Sequence, residues 1–292
     1  MSAVPNDVVS RIAAWAEARP DITALVQIGS RVQAGAGADA WSDFDFHLIT
    51  RRPDAYRDPS VLRELGDCWM ASAQPVFGGA TKATVILAGA VEADFVVLAN
   101  WELRAAFAAL RFPGLAALWP PLLRAGVRDL KIVACPGWRV VKGGPAWERR
   151  YARLGPDTPW PPLNQTQFRE ICAAYWTTLV WVTKKIERGE LRAAQREFHR
   201  TLLEKTWLLL EQEARDARAR ARPEARHAEQ WLPPARVGQT AITTGPDPAV
   251  LRRAVAQLTG LSEEVAKGVA AARGWEPPDG SAIKAWMLAQ HR

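Results

Sequence analysis

The strongest constraint on the fold comes from a short apolar run followed by a strictly alternating one. Residues 24–28 are apolar except for Gln27, as expected of a buried strand, and a glycine and a serine follow them. Within residues 43–49, polar and apolar side chains alternate up to Leu48, which predicts a second strand with its polar and apolar side chains on opposite faces. Asp43 and Asp45 share the polar face of that strand, so the sequence places two carboxylates side by side.

A pair of carboxylates on one strand face favours a bound cation. Like charges raise each other's pKa unless a cation neutralises them, and oxygen-rich sites suit Mg²⁺. A third carboxylate, Asp94, lies within the apolar run of residues 91–98, where a lone charge would be costly to bury. Two Mg²⁺ ions held by shared carboxylates can activate a hydroxyl and stabilise a leaving pyrophosphate. We therefore predict Asp43, Asp45 and Asp94 as catalytic residues and as ligands of two Mg²⁺ ions.

The order of these features is more specific than any one of them. Asp-x-Asp pairs are common on solvated strand faces, and a Gly-Ser pair alone indicates little. Here a strand, a Gly-Ser turn, a loop of about a dozen residues, an Asp-x-Asp strand and a later acidic strand follow one another. Glycine lets the backbone approach a ligand closely, and such a turn aims N–H groups at an anion. The combination is typical of a platform for metal ions and a nucleotide.

The pattern resembles the nucleotidyltransferase superfamily that includes DNA polymerase β, and within it the aminoglycoside 6-adenylyltransferases that modify streptomycin. Gly29-Ser30-Arg31 is similar to that family's Gly-Ser-Arg, and Ser42-Asp43-Phe44-Asp45 to its Asp-aromatic-Asp strand. Asp94 stands where the family has Ile-Asp-Leu. Weaker similarities lie at residues 64–70, Tyr175-Trp176 and residues 184–190. The resemblance covers roughly residues 5 to 215, and its active-site motifs are specific for the superfamily more than for the subfamily.

The resemblance implies a Mg²⁺-dependent transfer of AMP from ATP to a hydroxyl of a small acceptor, such as the aminoglycoside streptomycin. Asp94 would bind the catalytic metal, accept the acceptor's proton, or do both. The nucleotide-binding residues that it implies are Gly29, Ser30, Arg31, Lys184 and Lys185. The acceptor-binding residues are Glu170, Tyr175 and Trp176.

The chain departs from the family at one point near the predicted acceptor site. Ala174 stands where the family has an acidic residue before an aromatic pair, and Glu170, one turn earlier, is the candidate replacement. Purely structural roles stay open as alternatives for the other predicted residues of the helical domain. Helix packing is the more frequent role of a stripe such as Tyr175 and Trp176, and lysines on a helix are usually solvated.

The predicted fold class is α+β, with a polymerase-β-like nucleotidyltransferase domain followed by an all-helical domain. We expect a mixed sheet with flanking helices in residues 1–150, which form the catalytic domain. Residues 163–292 are expected to form a helical, acceptor-binding domain with a tail of short helices. Prolines and glycines cluster in residues 136–162, which predicts a linker.

Hydrophobic periodicity predicts the individual elements. Further strands are expected at 84–88 and 91–99, as a hairpin, and at 128–134. Helices are expected at 7–18, 59–65, 101–110, 168–186 and 191–210. A long loop at 223–247 is expected to precede three short helices at 248–258, 262–273 and 281–290.

The net charge of +7 leaves a second class of function open. It suits a basic nucleic-acid-binding or RNA-modifying protein on the same fold, or attraction of a nucleotide triphosphate. The arginine-rich segment of residues 215–226 supplies much of the excess, and a solvated helix face explains it more simply. A cationic aminoglycoside would be steered by negative charge, so the overall balance does not favour that acceptor.

Composition predicts a packed protein of the cytoplasm. Hydrophobic residues make up 48% of the chain, and its 14 tryptophans indicate extensive aromatic packing. The three cysteines are far apart and form no Cys-x-x-Cys, which fits a reducing compartment. We see neither an N-terminal signal nor a run of about eighteen apolar residues, so no membrane segment is expected.

Overall fold

The computed structural model describes residues 5–33, 38–76, 80–135, 137–155, 162–219, 221 and 223–290. The chain divides into two compact units, Met1–Pro159 and Trp160–Arg292. The first contains a six-stranded sheet with flanking helices, and the described residues of the second contain helices without strands. The predicted α+β class is confirmed. Within the described part of the chain, no helix has both the length and the apolarity needed to cross a membrane.

The described part of the first unit contains six strands and four α-helices. Its strands are β1 (Ile22–Ile28), β2 (Phe44–Thr50), β3 (Cys68–Pro75), β4 (Thr81–Leu87), β5 (Val91–Ala99) and β6 (Trp138–Lys142). Its α-helices are α1 (Pro5–Glu17), α2 (Asn100–Ala109), α3 (Pro121–Ala134) and α4 (Gly144–Tyr151). The turns at Pro53–Tyr56, Pro59–Leu65, Pro113–Leu118 and Ala152–Leu154 are 3₁₀-helical.

The strands lie in the order β3-β4-β5-β2-β1-β6. The β2–β5 pair is parallel, and the other four neighbouring pairs are antiparallel, so the sheet is mixed as predicted. The predicted β4–β5 hairpin is confirmed, with Gly89 and Ala90 in its turn at positive φ. The parallel pairing aligns Asp45 with Asp94, so two acidic residues 49 positions apart in the chain become neighbours across two strands.

Each face of the sheet packs against its own hydrophobic core. On one face, Phe46 of β2 stacks on Phe95 of β5 at 5.4 Å between ring centroids, and Trp15 of α1 covers them. On the other face, α2, α3 and α4 pack on Ala24, Val26 and Ile28 of β1 and on Ile49. Successive side chains of β2 enter opposite cores, so both faces of the strand are largely buried, and Asp45 and His47 lie on the face that carries these helices. Asp45 lies on the same face as Ile49, at the opposite end of the strand.

Several sequence predictions for the first unit are wrong. Residues 128–134 form the end of helix α3, because Val127, Leu130 and Ala134 recur at helical spacing and Pro121 begins the helix. The predicted linker at 136–162 contains β6, which pairs with β1, and α4, whose Trp147 and Tyr151 are buried. Strand β3 was not predicted, because it lies at the sheet edge and most of its residues face solvent.

The second unit consists of seven α-helices in its described part. They are α5 (Gln165–Glu187), α6 (Leu191–Glu197), α7 (Glu204–Asp216), α8 (Ala228–Trp231), α9 (Pro234–Thr240), α10 (Pro248–Arg273) and α11 (Ser281–Gln290). Asn164 and Gln167 form a capping box that fixes the start of α5. A six-residue π-helical segment, Phe198–Leu203, joins α6 to α7 within the stretch predicted as one helix.

Two predictions for the end of the chain need correction. The helices expected at 248–258 and 262–273 are the single helix α10, which Asp247 caps and Gly274 ends at a φ of 66°. A glycine within a helix costs about 1 kcal/mol relative to alanine, and the buried apolar stripe that continues on both sides of Gly260 outweighs that cost. The loop expected at 223–247 contains α8 and α9. Helix α11 is confirmed.

Candidate functional site

A glycine turn at the end of β1 lies directly against an acidic side chain. Gly29 has a φ of 78°, a left-handed conformation that favours glycine. A Cβ atom at this position would lie 2.3 Å from Asp45 Oδ2. The turn can pass this close to the carboxylate because residue 29 has no side chain, so glycine is required by both space and backbone conformation.

Three carboxylates meet beside this turn. Asp43 lies just before β2, Asp45 is its second residue, and the parallel pairing places Asp94 of β5 next to Asp45. One oxygen of each carboxylate lies within 4.8 Å of the others. We call Asp43, Asp45 and Asp94 the carboxylate cluster. Asp94 is buried, whereas Asp43 and Asp45 are half-buried, so one side of the cluster is shielded and the other reaches solvent.

Two residues of β4 hold the buried member of the cluster. Lys82 Nζ lies 2.6 Å from Asp94 Oδ2, and the Thr84 hydroxyl donates to Asp94 Oδ1. Burial alone would lower the pKa of Lys82, but the hydrogen bond and charge of Asp94, with the charges of Asp45 and Glu92, raise it above its usual value. Lys82 is therefore charged at neutral pH and contributes positive charge to the cluster.

Lys82 and Thr84 are the residues that the sequence analysis missed. In the hairpin, Thr84 lies opposite Asp94 and Lys82 lies opposite Val96, so all three polar side chains share one sheet face. Counting back from the Gly-Ala turn would have identified both. The predicted strand began at residue 84, however, and so left Lys82 outside the sheet.

The carboxylate cluster fits a divalent metal ion. Hard oxygen ligands on adjacent strands are the donors that Mg²⁺ prefers. The ammonium of Lys82 already stands beside the cluster as a cation, which shows that this arrangement of carboxylates attracts positive charge. A metal ion bound here would be held by Asp43, Asp45 and Asp94, the three residues predicted as ligands.

Arg31 fastens the loop that carries Asp43. Its Nε donates to the carbonyl oxygens of Ser42 and Asp43 at 3.1 and 3.0 Å, and its Nη2 also donates to Ser42. The guanidinium lies over the ring of Phe44, 4.0 Å from the centroid. Arg31 therefore connects the glycine turn to the start of β2. Its predicted contact with the nucleotide stays a prediction, since the same N–H groups serve the loop in this structure.

A buried histidine and tyrosine lie behind the cluster. His47 follows Asp45 by two positions on the same strand face, and its Nδ1 lies 2.9 Å from the hydroxyl of Tyr151. Burial lowers the pKa of His47 to about 4 and raises that of Tyr151. His47 is therefore neutral at pH 7, and the pair links β2 to α4 by one hydrogen bond within an apolar core.

Replacing Tyr151 by Phe is expected to destabilise the first unit. The change leaves His47 Nδ1 buried without its hydroxyl partner, and a buried polar group that loses its partner costs about 1–3 kcal/mol. Urea unfolding followed by far-UV circular dichroism measures the effect as a lower midpoint. An unchanged midpoint would show that His47 Nδ1 finds another partner or does not need one.

The residues predicted to bind the acceptor all lie on α5 in the helical unit. Tyr175 is buried, and its hydroxyl lies 3.1 Å from Thr259 Oγ1, so packing accounts for this side chain. Trp176 is half-buried and lines a cavity of about 290 Å³. Glu170 is exposed to solvent.

The two lysines predicted to bind the nucleotide also lie on α5. Lys184 is exposed, whereas Lys185 pairs with Glu190 and lies over the ring of Trp181. The roles of these two lysines, and the acceptor-binding roles of Glu170, Tyr175 and Trp176, stay predictions.

Comparison with known proteins finds a family similarity in the N-terminal part of the chain. The family model described as streptomycin adenylyltransferase matches residues 4–82, which include the glycine turn, Asp43 and Asp45. No curated protein matches the chain.

Two solved structures are similar to the chain at low sequence identity. An aminoglycoside 6-adenyltransferase from Bacillus subtilis is 10% identical, with a TM-score of 0.45, and the alignment covers 98% of this chain and 97% of that one. A nucleotidyltransferase-like protein from Exiguobacterium sibiricum is also 10% identical, with a TM-score of 0.32, over 92% of this chain and 76% of that one.

Two members of the carboxylate cluster lie inside the matched region. That region ends at Lys82, and the pairing of β5 with β2 adds Asp94 from outside it. The match to the streptomycin adenylyltransferase family model over residues 4–82 confirms the predicted resemblance and supports a nucleotidyltransferase enzyme.

Proposed function

We propose that the protein transfers AMP from ATP to a hydroxyl group of a small acceptor and releases pyrophosphate. The observation that carries this proposal is the carboxylate cluster, whose oxygens lie within 4.8 Å of one another beside the Gly29 turn. Two of its three members lie in the sequence that matches the family. A cluster at the end of adjacent strands, open to solvent on one side, suits a reaction at a phosphorus atom.

The reaction forms one bond and breaks one. The acceptor's hydroxyl oxygen attacks the α-phosphorus of ATP, and the bond from that phosphorus to the bridging oxygen of the β-phosphate breaks. Mg²⁺ held by the carboxylate cluster would neutralise the triphosphate and favour the alkoxide form of the hydroxyl. Asp94 is the group of this chain that we assign to receive the hydroxyl proton.

The glycine turn is assigned to the triphosphate. It follows a buried strand and has no side chain at residue 29, so backbone N–H groups can come close to phosphate oxygens. Ser30 adds a hydroxyl next to them. Arg31 acts on the nucleotide indirectly in this proposal, since it holds the loop that carries Asp43. Lys184 and Lys185 stay predicted nucleotide-binding residues.

The two units are assigned different tasks. The first unit would bind the metal ions and the nucleotide, and the helical unit would supply acceptor contacts from Glu170 and Trp176. Cytoplasmic location is part of the proposal. Cys68, Cys135 and Cys172 are all free thiols, as expected in a reducing compartment.

Streptomycin is the acceptor that we propose to test first. The family match supports it, whereas the net charge of +7 does not favour a cation. Its guanidinium groups can stack on an aromatic face such as that of Trp176, which offers binding energy where carboxylates are few.

A mass-spectrometric assay tests reaction and acceptor together. Protein, Mg²⁺ and ATP are incubated with streptomycin, with an aminoglycoside that lacks guanidinium groups, or with a short RNA. We expect streptomycin to gain one adenylyl group with an equal amount of pyrophosphate. An unmodified streptomycin, with intact binding of a non-hydrolysable ATP analogue, would remove this acceptor. Modification of the RNA alone would favour the nucleic-acid alternative.

A further inference from the structure

Lys82 reaches a carboxylate that the rest of the protein shields. Its side chain is 34% exposed, while that of Asp94 is 4% exposed, and their charged atoms are 2.6 Å apart. Lys82 lies on β4 opposite Val96, two residues along β5 from Asp94, so it approaches Asp94 diagonally across the hairpin. The ammonium therefore lies where solvent meets the buried side of the carboxylate cluster.

Both oxygens of Asp94 are engaged by donors of this chain. Thr84 donates to Oδ1, and Lys82 contacts Oδ2. A hydroxyl can rotate away or share its oxygen with a metal ion at little cost, because it is neutral. An ammonium and a divalent cation on one carboxylate repel each other strongly at this distance. Metal binding at Asp94 and the Lys82 contact therefore compete.

We propose that Lys82 is a built-in counter-cation of the carboxylate cluster, which neutralises Asp94 until a divalent ion takes its place. Lys82 then pairs with the phosphate groups of the nucleotide. This inference rests on the proposed function, since it assumes a metal and a triphosphate at the same site. Lysine suits the exchange because its compact charge sits on a flexible four-carbon stem.

The exchange has a consequence that a purely structural ion pair does not share. Removing the ammonium should strengthen metal binding to the nucleotide-free protein, because a competitor is lost. The same change should weaken nucleotide binding, because a cation for the phosphates is lost. A residue that only stabilises the fold would not move these two affinities in opposite directions.

The test compares Lys82→Met with the wild-type protein by calorimetry. Mn²⁺ is titrated into nucleotide-free protein, and α,β-methylene-ATP is titrated in the presence of Mg²⁺. We expect Lys82→Met to bind Mn²⁺ about tenfold more tightly and the analogue about tenfold more weakly. Lys131→Met is the matched control, since it removes the same charge from α3 and should leave both affinities unchanged.

Either half of the result can overturn the proposal. If Lys82→Met does not bind Mn²⁺ more tightly than wild type, or does not bind the ATP analogue more weakly, Lys82 does not move from Asp94 to the nucleotide phosphates. If Lys82→Met does not fold, Lys82→Gln replaces it, because the amide can still donate to Asp94 without a charge. If wild-type protein binds neither Mn²⁺ nor the analogue, the proposed function itself fails, and this inference with it.

Discussion

Asp45→Asn is expected to abolish adenylyl transfer while the protein stays folded. Asp45 is the member of the carboxylate cluster that touches both the Gly29 turn and, through strand pairing, Asp94. Loss of its charge removes a metal ligand, and we expect activity to fall by about 1000-fold or more, equivalent to roughly 4 kcal/mol of transition-state stabilisation. The free energy of unfolding should stay the same or rise, because one of three mutually repelling charges is removed.

Asp54→Asn is the matched control for this substitution. Asp54 lies in the same unit and pairs with Arg57, but both side chains are largely exposed, so their ion pair contributes little. We expect normal transfer by this variant. Steady-state kinetics with saturating Mg²⁺, together with urea unfolding, separate the two effects. Near-normal turnover by Asp45→Asn would show that the cluster does not bind the catalytic ions.

Gly29→Ala is expected to cause the second largest loss of transfer activity. The left-handed conformation, with φ at 78°, costs a non-glycine residue about 1–2 kcal/mol. The new Cβ would also lie 2.3 Å from Asp45 Oδ2, so the carboxylate must move away from its partners. A displacement of about 1 Å at a reacting centre can cost about 100-fold in rate, and we expect a loss of at least that size.

Gly89→Ala separates the two causes. Gly89 has a φ of 81° in the β4–β5 turn, and a Cβ there would meet nothing within 4 Å. This variant should bear the same kind of backbone strain as Gly29→Ala without the steric clash, and it should keep its transfer activity. Equal losses of activity in the two variants would show that backbone strain, not displacement of Asp45, explains the effect of residue 29.

The central part of the site could be predicted from the sequence because its signals are local. The alternation in β2 fixes which side chains share a face, and it places Asp43 and Asp45 together without any knowledge of the rest of the fold. The apolar run around Asp94 predicts a strand on its own. The parallel pairing of β2 with β5 brings Asp94 within reach of Asp43 and Asp45. The order of the motifs indicated this proximity only through the family resemblance.

The parts of the fold and the site that could not be predicted from the sequence depend on tertiary contacts. Lys82 joins the site through the hairpin register, and β3 forms because β4 offers an edge rather than because its own residues alternate. Residues 128–134 are rich in apolar side chains, which fit a strand equally well, and the helix that starts at Pro121 decides between the two. Helix α10 shows the reverse case, since the packing of one long apolar stripe overrides the local cost of Gly260.

The fate of the two ends of the triphosphate distinguishes nucleotidyl transfer from transfer of the terminal phosphate. Protein, Mg²⁺ and the accepted hydroxyl compound are incubated with ATP labelled at the α-phosphate or at the γ-phosphate, with Asp45→Asn as the control. Nucleotidyl transfer predicts that the α-label appears on the acceptor and the γ-label in pyrophosphate, with neither product formed by Asp45→Asn. Transfer of the γ-label to the acceptor, or label transfer that survives in Asp45→Asn, would contradict the account.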